Sequence, residues 1–115
     1  MTGEIIEAAY QVHNSLGCGL LEAVYEKALS WELELMGKKI SQQKEFKVFY
    51  RDKEVGLYFA DLIVDEKVIV EVKAVEQINT IHQAQLLNYL RISGVKVGLI
   101  INFARPKLEY KRLIV

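Results

Sequence analysis

The run Val68-Ile69-Val70-Glu71-Val72-Lys73 limits what this chain can fold into more than any other stretch. β-Branched apolar residues on both faces need cover from two sides, which is the environment of a strand in the middle of a sheet. Yet Glu71 and Lys73 are two apart and share a face with Ile69. Charges in such a place are costly unless they are paired or bound to a metal. The preceding run, Leu57 to Val64, has the same anomaly: Asp61 is its only charge, in alternation with Phe59 and Ile63.

Hairpin arithmetic joins the two anomalies. A three-residue loop, Asp65 to Lys67, sets Val64 opposite Val68 and therefore Asp61 opposite Glu71, with Cβ atoms roughly 4.5–5.5 Å apart. A two-residue loop turns Glu71 to the other face. Two carboxylates so close repel, and a divalent cation relieves them. The bland alternative is an Asp–Lys–Glu salt-bridge cluster with no chemistry, and the residues alone leave both readings open. With a metal, two carboxylates and a lysine are the equipment of phosphodiester hydrolysis.

The rest of the chain supplies the setting. Ile5, Ile6, Ala9, Val12, His13 and Leu16 follow one helical face, and Gly17-Cys18-Gly19 breaks it. The spacing predicts a second helix over Leu20–Met36, with Leu21, Val24, Tyr25, Ala28 and Leu29 inward and Gly37 as its left-handed stop. The period then becomes two, predicting strands at 42–50 and Val55–Val64 around a turn Arg51-Asp52-Lys53. A strand over Lys67–Ala74, a helix over Ile78–Ile92, a buried strand over Val95–Ile101 and a last strand over Leu108–Val115 complete the order ααβββαβ with a final β. A helix between two apolar strands implies a crossover. The expectation is an α/β fold in which helices flank a small mixed sheet.

With 115 residues, the chain has room for one domain, residues 1–115. Its 15 basic and 15 acidic residues cancel, which excludes nucleic-acid binding by bulk positive charge and demands a local patch instead. Lys38-Lys39, Lys44 and Lys47 form one candidate patch; Arg105, Lys107, Lys111 and Arg112 form another. The single cysteine, Cys18, excludes an internal disulfide and a cysteine-based zinc cluster, and reads as a small packing residue. No run reaches the ~20 apolar residues of a membrane span, and no basic leader precedes Ile5, so a cytoplasmic protein without a membrane partner is expected.

The ordered set of Asp61, then Glu71-Val72-Lys73, resembles the PD-(D/E)XK nuclease superfamily, whose restriction-endonuclease-like core has the same element order. Gly19-Leu20-Leu21-Glu22-Ala23-Val24-Tyr25 is similar to the signature of the GxxExxY proteins, a small prokaryotic group placed in that superfamily. Gln85-Leu86-Leu87-Asn88-Tyr89 and Val97 to Phe103 extend the likeness over nearly the whole chain. Ala60 stands where the proline of the superfamily's name is expected, and Cys18 where GxxExxY proteins commonly have proline. Neither change removes a ligand.

The resemblance implies a nuclease acting on DNA or RNA with Mg²⁺ or Mn²⁺. By position it makes Glu22, Asp61 and Glu71 metal ligands and Lys73 the catalytic lysine. Gln85 and Tyr89 match the Gln-x-x-x-Tyr motif of the exonuclease-like branch and share a helical face, with His82 beside them. A catalytically inactive nucleic-acid- or protein-binding module on the same fold is the alternative. So short a core leaves little to grip a substrate, which points toward a homodimer or a partner. Read from the residues alone, Glu22 is an ordinary solvated helix residue, and Tyr25 is either core or a hydrogen-bond donor to a carboxylate. His13 and His82 have no support as ligands. The start of the third helix, near Asn79-Thr80, is a weakly signalled phosphate site.

Overall fold

The structure, a computed structural model, describes residues 1–115. Its elements are α1 (Thr2–Leu16), α2 (Glu22–Leu35), β1 (Ile40–Tyr50), β2 (Lys53–Val64), β3 (Val68–Lys73), α3 (Thr80–Ser93), β4 (Val97–Asn102) and β5 (Glu109–Ile114). The strands form one sheet in the order β1-β2-β3-β4-β5. Every pairing is antiparallel except β3 with β4, which α3 connects as a crossover. This is the small mixed sheet with flanking helices expected from the sequence, and it is compatible with a restriction-endonuclease-like α/β fold.

The two-sided apolar pattern of β3 has the predicted cause. One face of the sheet, with Val64, Val68, Val70, Val72, Leu99 and Ile101, packs against α1 and α2 through Ile5, Tyr25, Leu29 and Leu33. The other, with Tyr58, Ala60, Ile63, Ile69 and Ile100, packs against Leu86 and Leu90 of α3. Gly98 permits that second contact: a Cβ there would lie 2.9 Å from the Leu86 methyl carbons. Gly94 ends α3 in the left-handed region at φ 78°.

Several local expectations need correction. Leu21 and Val24 are 77% and 42% exposed, not inward. The second helix begins only at Glu22, and its buried face is Tyr25, Leu29, Ser30 and Leu33. Leu16, at the end of α1, is also exposed. Cys18, expected as a packing residue, lies exposed in the loop between helices, outside the core. The first hairpin turns on two residues, not three: Arg51 and Asp52 both have positive φ, and Lys53 already pairs with Tyr50.

The most consequential correction concerns β2. Phe59 does not share a face with Ile63. Tyr58 and Ala60 pack with Ile63 on the α3 side, while Leu62 and Val64 face α1 and α2. The pleat changes phase at Asp61. Gln43 of β1 stands opposite, between the pairs Gln42–Leu62 and Lys44–Ala60, and takes a left-handed φ of 51°. Alternation counted straight through the strand misses this break.

Candidate active site

The β2–β3 turn closes as the sequence arithmetic requires. Val64 pairs with Val68, Ile63 with Ile69 and Leu62 with Val70. The ladder stops there, one step before Asp61 and Glu71. Each of these residues then serves the other's strand. The Asp61 amide donates to Glu71 Oε2 at 3.2 Å, and the Val72 amide donates to Asp61 Oδ2 at 2.9 Å. Two carboxylates replace two ladder carbonyls, so the strands fork and the side chains meet in the gap.

Burial makes this gap electrostatically tense. Glu71 is only 6% exposed. Its carboxyl is pushed up to about 7, first by burial and then by the neighbouring Asp61 charge. Asp61 is also raised, by burial first, although the Val72 amide and the Gln43 side chain pull it back. The Tyr58 hydroxyl donates to Glu71 Oε2 at 3.0 Å. Burial, reinforced by Glu71, holds that phenol protonated well beyond the ordinary range.

Lys73 is half-buried at the end of β3 and makes no ion pair. Its charge still favours ionisation of both Asp61 and Glu71. The closed Asp–Lys–Glu salt-bridge cluster is therefore not formed, and the ammonium keeps its donors.

Glu22 opens α2, and its Oε2 accepts the Ala74 amide at 3.1 Å, one residue past Lys73. A local device holds it there. Tyr25 donates from its hydroxyl to the Gly17 carbonyl at 2.6 Å and accepts the Leu20 amide at 3.1 Å. Its ring is buried and stacks on Phe103 at 4.7 Å. Tyr25 is thus core, and its hydroxyl ties the Gly17–Leu20 loop rather than a carboxylate.

Tyr89 stacks on Tyr58 with ring centroids 3.7 Å apart, and Tyr58 stacks on Phe46 at 5.9 Å. Tyr89 therefore touches the ring that holds Glu71. Gln85, one turn earlier on α3, is exposed. His82 closes a capping box: Asn79 Oδ1 accepts the His82 amide at 3.0 Å, and His82 Nδ1 accepts the Asn79 amide at 3.2 Å. An amide that would meet a phosphate at this helix start is already occupied. His13 donates to the Arg105 carbonyl at 2.9 Å, a structural bond.

Sequence reasoning missed four contributors. Glu26, one turn beyond Glu22, accepts from the side chains of Gln42 and Gln43, and Gln43 also donates to Asp61 Oδ1 at 3.2 Å. Glu26 thereby adds charge that raises Asp61. The four-residue spacing of Glu22 and Glu26 was the readable signal. Tyr58 had no signal beyond alternation. Asn102, fully buried, bonds both the amide and the carbonyl of Val75 and so fixes the chain leaving Lys73.

No three acidic, histidine or cysteine side chains gather closely enough to cage a metal. What the fork offers is a pair, Asp61 and Glu71, supplying only oxygen donors, with the Asp61 charge opposing ionisation of Glu71. That donor chemistry fits a hard divalent cation. A family model described as the PD-(D/E)XK nuclease superfamily matches residues 1–113. No curated protein and no solved structure matches the chain.

Proposed function

The chain belongs to the PD-(D/E)XK nuclease superfamily, and from that premise we propose that it is a metal-dependent nuclease cutting phosphodiester bonds of DNA or RNA. The observation that carries this is the fork itself: two facing carboxylates with an unpaired lysine beside them. Asp61 and Glu71 would hold Mg²⁺ or Mn²⁺, with Glu22 at the rim. Such a cation, when bound, acidifies a coordinated water and offsets phosphate charge. Lys73 orients the attacking water and stabilises charge growing on the phosphoryl oxygens. Tyr58 keeps one oxygen of Glu71 in place, and Tyr89 braces Tyr58. Gln85, exposed on the same helix, contacts the strand. The narrower GxxExxY reading rests on Gly19, Glu22 and Tyr25; Tyr25 ties the loop that leads into Glu22, and Glu22 accepts the Ala74 amide.

The test is cleavage of single- and double-stranded DNA and RNA with Mn²⁺ and with EDTA, alongside Mn²⁺ titration followed by electron paramagnetic resonance. Cleavage that needs the metal and is lost in Lys73→Ala and Asp61→Ala is the expected result. Cleavage that survives both substitutions unchanged overturns the assignment. Nucleic-acid binding with neither Mn²⁺ binding nor cleavage favours the inactive binding module instead.

A further inference from the structure

The largest hollow in the molecule, about 590 Å³, opens beside the β2–β3 turn and the α3–β4 loop, and its lining includes none of Asp61, Glu71 and Lys73. Lys44 of β1, Lys67 of the β2–β3 turn and Lys96 just before β4 line it, over a floor of Phe46, Ile63 and Val97. None of the three lysines makes an ion pair. The one carboxylate on the wall, Glu66, is bridged to Lys39 at 3.1 Å. Three free ammoniums from three separate elements thus converge in a chain whose net charge is zero. Lys44 Nζ rests 5.6 Å from the centroid of the Phe46 ring, so charge and an aromatic surface meet at the same wall.

We propose that this hollow binds a nucleotide through its phosphates. The charge suits an anion bearing more than one negative unit, and lysines act on phosphate as point charges. The volume falls within the range of small-ligand sites, and the apolar floor accepts a planar base. Directional donors are scarce. The Gly94 amide is bound to the Leu90 carbonyl, and Ser93 donates to Leu90 and accepts from Val95. Recognition therefore works by charge and shape, and affinity should rise with the number of phosphates. A free nucleoside polyphosphate and the consecutive phosphates of a strand present the same chemistry.

The experiment titrates the intact protein in EDTA with adenosine mono-, di- and triphosphate, and separately with a short fluorescently labelled single strand. Affinity should increase with phosphate count and weaken as salt rises. The double variant Lys67→Glu/Lys96→Glu, altered only at exposed side chains, should lose about tenfold or more. Asp61→Asn/Glu71→Gln should keep the lysine-dependent binding of the free nucleotides. Lysine dependence for the strand alone identifies nucleic acid as the source; dependence for the free nucleotides alone identifies an effector. Binding indifferent to the lysine reversal, binding lost in the carboxylate variant, or no binding of either probe overturns the inference. These readouts need no metal and no cleavage, so the site stands or falls separately from the proposed nuclease activity.

Discussion

The two ends of β3 are opposite in charge and in cost. Near its start, Lys67 and Lys96 stand exposed around an open hollow, with Lys44 facing them. Toward its far end the buried Glu71 and half-buried Asp61 meet in the fork, with Glu22 and Glu26 on the α2 side. Solvated ammoniums cost the fold little, because water screens them. Burial raises both carboxyls, and a neighbouring carboxylate adds to each, Asp61 on Glu71 and Glu26 on Asp61. A formal charge of zero for the whole chain thus conceals local patches of opposite sign along this strand. The difference teaches that the fork is held under tension by the surrounding core, whereas the lysine end is not.

The sharpest way to break that contrast is Lys73→Ala. Removing the only cation at the fork should lower metal-dependent cleavage by about 10²–10³-fold in initial-rate assays, whereas alanine at Lys67 should not alter the chemical step. Glu71→Gln comes next. Glu71 titrates near 7 when folded, against 4.5 as its ordinary value. Folding therefore favours the protonated form. The stabilisation it brings is complete below about 4.5 and is lost as pH rises through about 7. In EDTA at pH 8, Glu71→Gln should be more stable than the parent by up to about 3 kcal/mol in urea melts. The difference should vanish below pH 4.5, and a constant difference across pH would show that the fork carries no such tension.

A smaller effect is expected of Tyr58→Phe. Its hydroxyl bond favours the ionised form of Glu71, so its loss should move the carboxyl further up and shift the acid limb of the activity profile to higher pH. The stability cost at pH 8 should be about 1–2 kcal/mol. The smallest effect belongs to the other pole. Lys67→Ala and Lys96→Ala should each change stability by less than about 0.5 kcal/mol in the same melts. A larger change there would mean that the lysine end is built into the fold.

The central strand, the crossover and the register of the β2–β3 turn were all legible in the sequence. Each depends on local pattern: Val68 to Val72 announce two-sided burial, and Asp65 to Lys67 define the loop. The facing of Asp61 and Glu71 followed from that register. The phase change at Asp61 and Gln43 was not legible, because it arises from bonds between three strands and α2. Counting by twos therefore placed Phe59 on the wrong side. The inward face of α2 was misjudged for a similar reason. Leu21 is apolar, but it precedes the helix, and tertiary packing rather than hydropathy picks Tyr25, Leu29 and Leu33. Glu26 and Tyr58 reach the fork through partners distant in sequence, which no single run of residues displays.

The stack of Phe46, Tyr58 and Tyr89 gives the molecule an optical property. Tyr58 is buried, sandwiched between two rings and bonded to a carboxylate, an environment that shifts phenol absorption and quenches its emission. The lone tryptophan, Trp31, is 60% exposed on α2 and belongs to neither pole of β3. Near-ultraviolet difference spectra of the parent against Tyr58→Phe therefore isolate this one tyrosine among six, and follow Glu71 through its own neighbour with no dye attached.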